Sequence, residues 1–229
     1  MPGAVGQAHA RQCDVASADA VQALAQEAER LWGGVDLVVN NAGVAVSGAF
    51  EDIPLADWSW IVGINLMGVV HGCRSFLPGM RAQGSGHLIN VASAAGLLSP
   101  PRAGPYNATK AAVVAISETL HAELERTAIG VTVLCPTFFP THIGKSARAT
   151  DDVDAAMIEK MMRRSRLSAE DVARHALACA DNGELYALPH ADGRWLWRLK
   201  RATPAAFPAL IPRLIALQRR LLRRGAGRA

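Results

Sequence analysis

The sequence predicts a doubly wound α/β fold, a parallel sheet with helices on both faces. Strand-like and helix-like segments alternate from about residue 8 to residue 188. One of the strand-like runs, Val35-Asp36-Leu37-Val38-Val39-Asn40, is nearly all apolar, as in strands buried on both faces of a parallel sheet, and Val131-Thr132-Val133-Leu134-Cys135 is a further strand halted by Pro136. A chain of 229 residues, 50% hydrophobic and 19% charged with mean hydropathy +0.13, is large enough to bury one real core. The same composition excludes disorder, collagen-like repeats and a disulfide-stapled mini-protein.

The elements follow in order. Residues 8–15 read as a short strand ending in Asp14-Val15. A helix is expected from about Ala18 to Trp32, with Val21, Leu24, Ala28 and Leu31 at helical spacing and Gly33-Gly34 as its stop. The apolar strand 35–40 comes next, then a long apolar helix over 55–80. The strand His87–Ser93 leads through a loop with Pro100, Pro101 and Pro105 to a helix from Tyr106 to about Thr127. After the strand 131–135, a helix is expected near 151–164. The run Ser168-Ala169-Glu170-Asp171 resembles a capping box opening a helix to about Ala180, and a last strand is expected at 184–188.

Charge is unevenly spread. Residues 194–229 hold ten Lys/Arg and no Asp/Glu, so residues 1–193 carry 14 basic against 20 acidic residues, a net −6. This divides the chain into a folded domain, 1–193, and a basic extension, 194–229, and argues against a basic nucleic-acid-binding domain. Cys13, Cys73, Cys135 and Cys179 are widely spaced without a CxxC pair. They suit reduced thiols in a cytoplasmic protein and suggest no metal site. No uninterrupted apolar run reaches 18 residues, and Met1–Gly6 lacks the layout of a signal peptide.

The chemistry concentrates in Tyr106-Asn107-Ala108-Thr109-Lys110. Positions i and i+4 share a helix face, so the Lys110 ammonium is expected beside the Tyr106 phenol, where a cation favours the phenolate. Such a tyrosine can exchange a proton as general acid–base catalysis requires. Ser93 closes a buried strand thirteen residues upstream. It and the turn Asn40-Asn41-Ala42-Gly43 fall at carboxyl ends of strands, where open parallel sheets bind ligands. Asn65, inside an apolar helix, reads either as a satisfied core amide or as part of a polar relay.

Together these motifs resemble the short-chain dehydrogenase/reductase family, from about Cys13 to Leu188, which implies a Rossmann-like sheet. The resemblance implies that Tyr106 is the proton donor or acceptor, that Ser93 holds the reacting oxygen, and that Lys110 lowers the Tyr106 pKa and holds the nicotinamide ribose. It implies that Asn65 supports a water-linked relay to Lys110. Asp14 and Val15 resemble the pair at the adenine, Asn41, Ala42 and Gly43 the turn beneath the cofactor, and Pro136 and Thr141 the residues flanking the nicotinamide. The implied cofactor is NAD or NADP, the preference unreadable. The implied activity is interconversion of a secondary alcohol and a ketone, and the implied assembly a homo-oligomer through the helices 55–80 and 106–127.

The family pattern opens with a glycine-rich turn that this sequence does not contain, and Thr137 replaces the usual glycine after Pro136. In the strand order 3-2-1-4-5-6, two strands should separate the one ending at Asp14 from the one at 35–40. The fold is therefore expected to be N-terminally truncated. Three explanations stay open: a native protein longer by on the order of 60 residues, a fragment without cofactor binding, or direct pairing of 8–15 with 35–40. The competing function is a non-catalytic binding or scaffold protein.

Leu97-Leu98 and Phe138-Phe139 suggest an apolar pocket for a hydrophobic small-molecule substrate, or simple packing of loops onto the sheet. In the extension, apolar residues from Phe207 to Leu222 and five arginines suggest a basic amphipathic helix from about Pro212, with Trp195 and Trp197 upstream. That pattern suits either an anionic membrane surface or docking on protein.

Overall fold

The computed structural model describes residues 6–150 and 159–210. Helix α1 spans Ala18–Trp32 as expected. The Ser17 side chain caps it by accepting from the Ala20 N–H, and Gly33, left-handed at φ 76°, ends it. The sheet consists of β1 (Leu37–Asn40), β3 (Gly86–Val91), β4 (Ile129–Leu134) and β6 (Tyr186–Ala187), all parallel, in the spatial order β1-β3-β4-β6. Between β1 and β3 the chain forms α2 (Leu55–Ile61), a π-helical stretch over Val62–Met67, and α3 (Gly68–Gln83). Then come α4 (Ala94–Leu98), α5 (Gly104–Leu124), α6 (Ala169–Asp181) and α7 (Ala191–Ala202). The expected capping box at Ser168 and Asp171 opens α6.

Alternation along the strands sorts the core into two layers. Leu88, Val131 and Val133 pack with Val69, Cys73, Met80 and Val113 of α3 and α5. Ile89, Leu134 and Ala187 face the other way, onto Val172, Ala176 and Cys179 of α6. The stretch 55–83 is long and apolar enough to cross a membrane by composition. Ile61, Asn65, Val69, Cys73 and Met80 are nevertheless buried in this protein core.

Three expectations are corrected. Residues 8–14 form no strand and pair with nothing in the sheet, which removes the direct pairing of 8–15 with 35–40. The strand at 35–40 is not buried on both faces: β1 bonds only β3, so among the described residues its outer edge is open, with Leu37 and Val39 exposed. The long helix is broken by its π stretch rather than continuous. A small second sheet, β2 (Val46–Ser47) with β5 (Arg148–Ala149), was not foreseen; two residues per strand carry no periodicity to read. Arg148 of β5 pairs with Asp57 at 2.6 Å and lies 3.7 Å over the Trp60 ring. Most of the helix near 151–164 and the amphipathic helix from Pro212 lie outside the described residues, though 159–163 are helical.

Candidate active site

The cluster assembles at the carboxyl ends of the strands. Ser93 follows β3 and becomes the N-cap of α4, its Oγ accepting from the Ala95 N–H at 3.1 Å. Tyr106 sits in the first turns of α5, started by Pro105, with its hydroxyl near enough to the Ser93 side chain for Ser93 to favour the phenolate. Lys110, one turn on and only 3% exposed, places Nζ 5.8 Å from the Tyr106 ring centroid and donates to the Val91 carbonyl at 2.7 Å.

Asn65 is fully buried in the π-helical stretch, where a widened turn aims its side chain inward. Its Oδ1 accepts from the Val44 N–H at 2.8 Å and its Nδ2 donates to the Val44 carbonyl at 2.9 Å. Nδ2 also reaches Thr109 Oγ1 at 3.4 Å. The satisfied-amide reading of Asn65 therefore holds: the side chain pins the turn after β1 against α5. That turn brings Gly43 so close that a Cβ there would stand 3.4 Å from both Asn65 Oδ1 and Lys110 Nζ. Asn65, Gly43, Lys110, Tyr106 and Ser93 thus form one cluster.

Electrostatics correct one expectation. The Tyr106 phenol is not acidified: burial raises its pKa above the usual value, the Ser93 hydrogen bond pulls it back, and the nearby Cys135 thiol adds a smaller upward push. Burial also draws the Lys110 ammonium down to about 8. Desolvation of both buried groups outweighs the attraction expected from an i, i+4 pair, and the amine donates one proton to the Val91 carbonyl. The Cys135 thiol, equally buried, is pushed up to about 12 and is no nucleophile near neutral pH.

The other sequence-derived residues divide. Val15, Asn41 and Ala42 line a common cavity of about 370 Å³ along the open edge of β1, with Val15 packed on Gly68. Asp14 is exposed, its Oδ1 accepting from the Ala16 N–H at 3.0 Å. Pro136 is buried and its carbonyl accepts from the Ala94 N–H, tying the turn after β4 to α4. Thr141 is exposed in the following loop, its hydroxyl accepting from the Ile143 N–H at 3.2 Å. Leu97 belongs to the main core and Phe139 packs on the α6 layer, so packing accounts for both; Phe138 is exposed.

Two supports escaped the sequence reading. Asn40 Nδ2 donates to Asn90 Oδ1 at 2.8 Å, Asn90 Nδ2 to Ser117 Oγ at 3.0 Å, and Ser117 Oγ to the Val113 carbonyl at 2.8 Å. This buried chain links β1, β3 and α5, and a polar residue inside an apolar strand such as Asn90 was its only visible signal. The second is Gly96, where a Cβ would lie 2.6 Å from the backbone carbon and oxygen of Lys110. Its absence lets α4 approach α5 closely enough for Ser93 to reach Tyr106. Gly96→Ala is expected to cost about 1–3 kcal/mol of stability by overpacking, measured by urea denaturation. Unchanged stability would show that α4 and α5 can separate freely.

A family profile described as "short chain dehydrogenase" matches residues 2–152. The chain belongs to the short-chain dehydrogenase family. A short-chain dehydrogenase/reductase structure from Burkholderia phymatum, in complex with NAD, is similar with TM-score 0.80 and 36% identity, covering 84% of this chain and 74% of that one. A short-chain dehydrogenase structure from Novosphingobium aromaticivorans gives TM-score 0.71 at 27% identity, covering 95% of this chain and 77% of that one. The "Probable oxidoreductase EphD" of Mycobacterium tuberculosis is 38% identical over 144 residues, 61% of this chain and 24% of that protein. An uncharacterized oxidoreductase of Staphylococcus aureus is 33% identical over 164 residues, 72% of this chain and 66% of that protein. The chain thus spans about a quarter of one of these relatives and just under two thirds of the other.

Proposed function

We propose that this short-chain dehydrogenase is an NAD(P)-dependent oxidoreductase that interconverts a secondary alcohol and a ketone. The observation that carries the reading is that Ser93, Tyr106 and the buried Lys110 amine come together on the carboxyl side of the sheet. The nicotinamide half of a dinucleotide fits these residues. Gly43 leaves open the space that a Cβ would fill beside Asn65 and Lys110, and Lys110 Nζ can offer protons to ribose hydroxyls while holding the Val91 carbonyl. The pyrophosphate half has no such glycine-rich cradle among the described residues: the one glycine they hold ahead of Asp14 is Gly6, and a Cβ there would meet nothing within 4 Å.

When bound, the nicotinamide supplies or accepts the hydride. The chain's own residues handle the oxygen. Ser93 Oγ, fixed by its cap on α4, donates to the substrate oxygen, and Tyr106 Oη delivers the proton to it. A phenol with a raised pKa is a neutral acid across the neutral range, so the site suits carbonyl reduction there. Alcohol oxidation, which needs the phenolate, is favoured as pH rises. Asn65 holds the turn at Gly43 and Val44, and through it the floor under the nicotinamide.

The test is binding of NADH and NADPH, followed by turnover on a panel of ketones, for this chain and for a version extended upstream. Saturable binding with ketone-dependent oxidation of the cofactor supports the proposal. Failure of both versions to bind favours the scaffold alternative. Phe138, 38% exposed beside Pro136-Thr137, favours a substrate with an apolar side. Activity confined to small polar sugars would oppose that part.

We also propose that the basic extension meets an anionic membrane surface. Trp195 is 60% exposed on α7, which also exposes Arg198 and Arg201. Sedimentation with phosphatidylserine vesicles should fall once residues 194–229 are removed; undiminished sedimentation contradicts it.

A further inference from the structure

His190 lies between the last strand and α7, outside every residue set assigned above, yet it touches the turn that follows β4. Its Nδ1 accepts from the Thr137 backbone N–H at 3.3 Å, and its ring lies 6.2 Å from that of Phe139. Because Nδ1 accepts, the neutral ring carries its proton on Nε2. That atom is buried without a hydrogen bond of good geometry, although the Phe138 carbonyl lies near the ring. Two further contacts close the same joint. Thr137 Oγ1 lies 3.4 Å from Asp192 Oδ1, and a Cβ on Gly193 would stand 2.9 Å from Thr137 Cγ2. Thr137 is also where the family's usual glycine is missing, so the turn lacks that residue's backbone freedom and depends on outside contacts for its shape. Its neighbour Pro136 holds the start of α4 through Ala94, next to Ser93.

We infer that His190 is a positioning residue for the Pro136–Phe139 turn, holding it against α4 only while its imidazole is neutral. The inference rests on the dehydrogenase reading for its effect on turnover, but not for the contact itself. Protonation places a hydrogen on Nδ1, which then repels the Thr137 N–H instead of accepting from it, and the turn loses its anchor.

The charged and titratable groups facing the ring come from two elements. Asp192 and Arg194 belong to its own helix, the first favouring the charged ring and the second opposing it, and His175 of α6 opposes it as well. Residues 94–98 and 136–141 carry no charged side chain. Burial is the largest influence, and it lowers the ring's pKa below 6.5. The neutral state, and with it the anchored turn, therefore persists at neutral pH and is lost on acidification.

The experiment is a ¹⁵N–¹H titration of the chain from about pH 8 to about pH 4, following the Thr137 amide and the His190 ring together. The Thr137 amide is expected to move with the His190 midpoint in the wild-type chain. It should stay in place at all pH in His190→Asn, whose side-chain oxygen can still accept, and stay shifted at all pH in His190→Leu. A Thr137 amide that ignores the His190 titration, or that is unchanged in His190→Leu, overturns the inference. In the active form, His190→Leu should raise the KM for cofactor about tenfold or more with kcat less affected, and His190→Asn should restore it. Equal KM in all three also overturns it. If no form turns over, the dehydrogenase reading fails while the amide titration still decides the positioning role.

Discussion

Replacing Tyr106 by Phe should lower ketone turnover by about 10²–10⁴-fold while the chain stays folded and still binds the cofactor. The ring is retained, so packing in the cluster with Val44, Val46, Ile53 and Ile61 is unchanged. The loss is one hydroxyl near Ser93, and any polar contact that it makes is worth about 0.5–1.5 kcal/mol of stability. A drop confined to kcat, with substrate KM little changed, would mark an interaction made in the transition state. The raised phenol adds a directional signature: reduction should be flat through the neutral range, and oxidation should climb with pH into the alkaline range. The chain has two tyrosines, Tyr106 and Tyr186. In a Tyr186→Phe background, phenolate absorbance therefore reports Tyr106 alone, and its midpoint should lie above the usual value near ~10. A midpoint below that would restore the acidified phenol that the sequence alone suggests.

Replacing Lys110 by Met should abolish turnover and at the same time stabilise the fold. The folded pKa of about 8 lies below the ordinary 10.5, so folding at neutral pH buries a charge at a cost. Below about pH 8 both states hold the proton and the full cost is present. Between about 8 and 10.5 the unfolded chain binds more protons than the folded one, so wild-type stability rises with pH. Methionine carries no charge and shows no such rise. The melting-temperature advantage of Lys110→Met should therefore be largest below about pH 8 and shrink toward 10.5. The lost hydrogen bond to Val91 offsets part of it, about 1 kcal/mol. Calorimetry at a series of pH values checks this. A variant less stable than wild type at pH 7, with no pH trend in the difference, would mean that the amine is comfortably paired in the fold.

The sequence exposed most of the site because its signals are local. Helix α1 was legible from its apolar spacing and the Gly33-Gly34 stop. Tyr106, Lys110 and Ser93 sit on or beside elements whose type the pattern declares. Contacts between elements were hidden. Gly96 looks like one more small residue until α5 is packed against it, and Asn90 looks like a flaw in an apolar strand until Asn40 and Ser117 meet it. The acidity of Tyr106 was misjudged for the same reason: helical spacing brings the amine near, but burial decides the direction of the shift. The strand over 8–15 failed because a strand needs a partner, and β1 offers its outer edge to none of the described residues.

A crystal structure of the chain, or of its upstream-extended form, with a nicotinamide cofactor and an unreactive ketone would probe the central claim. The ketone oxygen should lie within ~3 Å of both the Tyr106 and Ser93 hydroxyls, with the ribose hydroxyls at a similar distance from Lys110 Nζ. A ketone oxygen held by other groups, with the Tyr106 hydroxyl turned away from it, would contradict the account.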